Sequence, residues 1–169
     1  MKRAQYDAQL ILNRSYDLFN EGGLVSLKVR AVAKVCHCSV IPIYRCFQSR
    51  NELCKAVLNQ SFSIFEKDLL KEIETHKTDS HDPYWRLYSA LSRQYGLIKE
   101  VISGNMKIID ELAQITHKHF SNKSTYALRA YIQLICMILN IKSTNELSDL
   151  NSSLLAFSKI TQNFLKTLT

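Results

Sequence analysis

The chain has 169 residues, 46% of them hydrophobic and 22% charged, which suits one compact soluble unit or a small module fused to a larger one. Four glycines and two prolines are too few for the turns of an all-β fold, so the chain reads as mostly helical. The net charge of +7 is uneven: residues 1–55 carry nine Lys/Arg against four acids, while the remaining 114 carry thirteen against eleven. A basic end on a near-neutral body points to a polyanion partner for the N-terminal third, with a merely solubilising surface as the alternative. Lys2-Arg3 leads into mixed polar sequence, unlike a signal peptide, and the apolar stretch Leu134 to Ile141 is too short to cross a bilayer. The expected location is the cytoplasm, with no membrane partner and the five cysteines held as thiols.

In chain order, Ala8, Ile11, Leu12, Ser15, Leu18 and Phe19 recur at three- and four-residue steps and predict an amphipathic helix over 4–20, ended by Gly22-Gly23. A shorter helix is expected from Leu27 to Val35, capped by Ser26, with Val29, Val32 and Ala33 inward. Ser39 as the next cap puts Val40, Ile41 and Pro42 in a first turn, where backbone N–H groups lack intrahelical partners and proline is tolerated. Ser49-Arg50-Asn51-Glu52 has capping-box spacing and starts a long helix running past Phe65 towards Ile73. Residues 75–82 form a polar break. Asp82-Pro83 opens one helix over 83–102, and Ser103-Gly104-Asn105 ends it. Further helices are expected over 106–120, over 125–141 (apolar nearly all round, hence buried) and, after the polar run Lys142 to Glu146, over 149–168.

The turn between Val35 and Cys38 has the length a helix-turn-helix needs. Within residues 8–57 stand Ile11-Leu12, Leu18-Phe19, Gly23, Val32-Ala33, Ser39, Ile43-Tyr44-Arg45, Phe47, Ser49-Arg50 and Leu53. In that order and spacing the N-terminal third resembles the TetR family of bacterial transcriptional regulators. His37 departs from the family by standing where it normally has glycine, Ala31 by replacing its usual acid, and Val40-Ile41-Pro42 by replacing smaller, more polar residues. The resemblance implies an all-α chain. A three-helix DNA-binding domain over 1–55 would be joined by a long helix to a ligand-binding and dimerisation domain over 56–169.

It further implies a double-stranded DNA operator, a homodimer formed through the last two helices and release by a small-molecule effector. Ser39, Val40, Ile41 and Pro42 would lie at the bases, with apolar contact only from the last three, and Lys28, Arg30, Tyr44, Arg45 and Arg50 would contact phosphates. The competing role for Tyr44 is a buried aromatic, and for Arg45 and Arg50 a solvated charge. Ile43 and Phe47 read as core. An effector pocket would draw on Trp85, Tyr88, Tyr95, Met106, Ile109 and Tyr131, although the same residues also read as ordinary helix core.

Other constellations carry less. Cys36-His37-Cys38 with Cys46 invites a metal or a redox switch, but one intervening residue is short of the usual zinc spacing, and packing explains small thiols more simply. Cys54 and Cys136 read as core, and His76, His81, His117 and His119 as surface. No glycine-rich phosphate loop, nucleophile motif or carboxylate pair supports catalysis, so no enzyme, cofactor or metal is expected. A second reading is a TetR-like module that has lost operator binding and acts as a protein-interaction module or co-activator, motivated by the apolar Val40-Ile41-Pro42 tip.

Overall fold

The computed structural model describes residues 7–75, 83–121 and 123–143. The polar break around His76 and His81, the capping role of Asp82 and the helix expected over 149–168 lie outside the described residues. Among the described residues every regular element is helical: α1 (Ala8–Gly22), α2 (Val29–Val35), α3 (Val40–Phe47), α4 (Arg50–Thr75), α5 (Pro83–Leu91), α6 (Tyr95–Ile102), α7 (Met106–His119) and α8 (Thr125–Ser143). No helix among them is long and apolar enough to cross a membrane.

α1 starts where Asp7 accepts the Gln9 N–H (3.4 Å) and stops at Gly23, whose N–H reaches the Phe19 carbonyl. Ile11, Ser15 and Phe19 are buried along one face, and the Ser15 hydroxyl donates to the Ile11 carbonyl (2.7 Å), so this polar group is satisfied inside. A short 3-10 turn, Leu24–Ser26, leads into α2. The expected cap role of Ser26 is not what the fold uses. α2 begins two residues later, after Lys28, and the Ser26 hydroxyl instead donates back to the Leu18 and Gly23 carbonyls.

The connection from α2 to α3 is a Schellman turn: Cys38 N–H bonds the Ala33 carbonyl (3.0 Å) and His37 N–H the Lys34 carbonyl (3.1 Å). It forces His37 to φ +52°, a left-handed position that glycine usually fills and histidine tolerates at modest cost. The same motif with glycine ends α6, where Gly104 sits at φ +81°. α1, α2 and α3 pack on one another, α1 and α3 also pack on the start of α4, and Ile11, Val32, Ile43 and Leu53 are buried in the shared core. α4 continues from this small bundle into a second group made with α5, α6, α7 and α8. Tyr131, Ile132, Ile135 and Cys136 are the buried side of α8, and burial pushes the Cys136 thiol up to about 12. Tyr126 and Met137 stay exposed, so α8 is not buried all round.

The helix expected over 83–102 is broken in two at Ser92–Gln94. The cause is tertiary. Gln94 is 1% exposed, donates from Nε2 to Asp68 Oδ2 (3.1 Å) and accepts from the Tyr16 hydroxyl (3.2 Å). Arg93 beside it pairs with Glu72 (2.8 Å). Past the break α6 turns against α1. Gly96 lies under the Phe19 ring and its N–H donates to Asn20 Oδ1 (3.1 Å). Glu100 accepts the Leu24 N–H (2.7 Å), and the Lys99 ammonium bonds the Glu21 carbonyl. A polar seam thus ties the N-terminal bundle to the remainder of the fold.

Candidate nucleic-acid interface

α3 is a short amphipathic helix with a divided surface. Ile43 is 2% exposed, and Val40, Cys46 and Phe47 pack against the core. Ile41, Tyr44, Arg45 and Gln48, related by three- and four-residue steps, are exposed on the other side. The expected separation of core anchors from Tyr44 and Arg45 is therefore how α3 is seated. Of the apolar tip only Ile41 is free, because Val40 turns to the core and Pro42 is partly buried. Gln48 was missed by sequence reasoning. Its signal was its position seven residues after Ile41, obscured because it ends α3 at φ +59°.

Ser39 stands at the N-cap of α3 in extended backbone, yet its side chain makes no capping bond. The third helical position is Pro42, which has no N–H to offer, so the usual reach of a serine oxygen to that donor is unavailable by chemistry. The hydroxyl is left at an exposed residue. Half of the box expected at Ser49–Glu52 forms: Glu52 N–H donates to Ser49 Oγ (3.2 Å), while the Glu52 carboxylate pairs with Lys55 (2.8 Å) instead of folding back.

Lys28, Arg30, Lys34 and Arg45 are exposed and have no carboxylate within ion-pair distance among the described residues. Arg50 is different. Its Nε donates to the Leu27 carbonyl (2.9 Å) and its Nη2 to the Leu24 carbonyl (2.8 Å), so it clamps the α1–α2 connection onto the start of α4. Its expected role as a phosphate contact competes with this structural one. Arg50→Ala is expected to cost about 1–2 kcal/mol, the loss of two charge-assisted bonds at a partly exposed site, and Arg50→Lys to restore only part of it. Urea unfolding of the two variants checks this, and unchanged stability in Arg50→Ala would return the side chain to a surface role.

The thiols nearby are quiet. Cys36 and Cys38 lie against each other through a weak S–H···S contact, and burial raises both thiols. The Cys38 thiol raises Cys36 further, while Arg14 opposes the shift. Cys54, which is only partly buried, is also raised by burial. A raised thiol holds little thiolate near neutral pH, the opposite of a reactive cysteine. Among the described residues no group of three His, Cys, Asp or Glu is placed to hold a metal ion. His117 and His119 are each engaged on their own: His117 Nδ1 lies 2.9 Å from the Lys123 carbonyl and His119 Nε2 3.1 Å from Glu66.

The residues expected around an effector do not converge. Trp85, Tyr95 and Met106 are exposed, and Trp85 stacks on Tyr88 with ring centroids 5.3 Å apart. Ile109 is fully buried and Tyr131 packs its ring against Tyr84 at 4.1 Å. Three outward side chains and two core ones do not wall one space. Comparison of the chain with known protein families, characterised proteins and solved structures gives no match.

Proposed function

We propose that this chain is a TetR-like, DNA-binding transcriptional regulator, with α2 and α3 as its helix-turn-helix and α3 as its recognition helix. The observation that carries the reading is the divided surface of α3. A helix anchored through Ile43 presents Ile41, Tyr44, Arg45 and Gln48 outward, and the exposed cations Lys28, Arg30 and Lys34 of the preceding segment have no carboxylate partner among the described residues. A major groove admits one helix, and phosphates need flanking cations to hold it there. The Schellman turn at His37 sets the tight connection such a pair requires, although glycine is absent. In this reading two copies pair through their C-terminal helices, where Tyr126 and Met137 of α8 are exposed apolar candidates, and bind a near-palindromic operator. The output is repression, in the cytoplasm, lifted when an effector acts on the C-terminal group.

A protein-interaction module on the same fold remains the second reading, favoured by Ile41 and Val25, each 70% exposed. Titrated gel shifts against the region upstream of the protein's own gene separate the two. A dimer using Lys28, Arg30 and Arg45 from each copy should show log affinity falling with log salt at a slope of about −5, a loss of roughly a thousandfold between 50 and 200 mM. Absence of any shift at low salt favours the interaction module.

A further inference from the structure

The exposed stripe of α3 is chemically uneven. Tyr44, Arg45 and Gln48 carry donors or acceptors, whereas Ile41, nearest the N-terminal end, carries none and is 70% exposed. Its apolar neighbours are withdrawn, Val40 onto the core and Pro42 into partial burial, so a single branched aliphatic side chain stands out at the tip. In a recognition helix the N-terminal residues are the ones that meet base edges. A side chain without polar atoms is blind to the donor and acceptor pattern of the bases, and the one apolar group on the major-groove edge is the C5-methyl of thymine.

Building on the DNA-binding reading, we propose that Ile41 is a specificity-determining residue that packs on the C5-methyl group of a pyrimidine in each half-site. Thymine carries this methyl, and 5-methylcytosine presents the same group. Tyr44 and Arg45 then hold the adjoining phosphates while Ile41 reads methylation at carbon 5. Unmethylated cytosine and deoxyuridine are disfavoured because they leave the aliphatic side chain facing an empty edge.

The test uses the full chain. Duplexes bound at low salt are selected from a random library, and the best one is retitrated with each thymine replaced in turn by deoxyuridine. One thymine per half-site should lose about fourfold in affinity, the worth of one buried methyl group. Ile41→Ala should bind the thymine and deoxyuridine duplexes equally while keeping the wild-type melting temperature, since the side chain is exposed. At that position 5-methylcytosine paired with guanine should bind more tightly than cytosine paired with guanine. Persistent binding with no deoxyuridine effect anywhere, or full methyl dependence in Ile41→Ala, overturns the assignment. Salt-sensitive binding that enriches no common sequence overturns it as well, leaving DNA binding standing. Failure to bind any duplex at low salt overturns the DNA-binding reading itself, and the assignment with it.

Discussion

Gly96→Ala is expected to destabilise the protein by about 2 kcal/mol, within the usual range for forcing atoms into a packed core. Helix propensity alone predicts the opposite sign, since alanine is favoured over glycine by roughly 1 kcal/mol inside a helix. Position decides against propensity. A Cβ at residue 96 would stand 2.3 Å from Phe19 Cε1 and 2.4 Å from Cδ1, and Phe19 is fully buried with nowhere to retreat. For a chain of this size the loss corresponds to a melting temperature lower by about 4–8 °C. Thermal unfolding followed by circular dichroism reads it directly. Phe19→Leu removes the ring that clashes, so the alanine should cost much less in the double variant, and the two effects should be strongly non-additive. A raised melting temperature in Gly96→Ala would mean that α1 and α6 are not closely seated. The α1–α6 seam joins the N-terminal bundle to the C-terminal group alongside the continuous α4, so the contact bears on how firmly the two are held together.

Under the proposed DNA-binding function, the double variant Tyr44→Ala/Arg45→Ala is expected to lose DNA affinity by about a hundredfold or more, from one charge-assisted phosphate contact per half-site worth ~1.5 kcal/mol plus the tyrosine contact. The salt slope should become shallower by about 2, one unit for each copy of Arg45 in the dimer. Stability should hold within roughly 0.5 kcal/mol, as is usual for surface changes. Both side chains are exposed, Tyr44 at 49%, and neither has an internal partner among the described residues that its removal would orphan. Filter-binding titrations at several salt concentrations, with circular dichroism alongside, make the comparison. Collapse of the helical signal would show that these residues pack the fold, and unchanged affinity would remove α3 from the interface.

Much of the N-terminal third was legible in the sequence because its determinants lie within a turn or two of one another. Gly23 ends α1, the Ser49 hydroxyl caps α4, and the three-and-four spacing along α3 separates Ile43 from Tyr44 and Arg45. The left-handed backbone at His37 was one of two alternatives left open by a histidine standing where the resembled family has glycine, and the Schellman turn decides it. Ser26 and Ser39 were legible only as possible caps. Whether a hydroxyl caps depends on what else it can reach, and Ser26 found the Leu18 and Gly23 carbonyls first.

Beyond residue 83 the sequence determined helical content and which residues are apolar, but not the path. Leu87, Leu91, Ile98 and Val101 keep a helical period straight through the break, so nothing local marks it. It is decided by Gln94 meeting Asp68 and Tyr16, residues 26 and 78 positions away. The same holds for Arg50, whose charge suggests a phosphate while two carbonyls across the bundle hold it. Trp85, Tyr95 and Met106 face outward for a related reason: an aromatic stripe states an apolar face, and only the packing of neighbouring helices states what that face meets. Short-range hydrogen bonding and periodicity are written in the order of residues. Which distant side chain satisfies a buried amide, or where a ring closes over a glycine, exists only once the helices have packed.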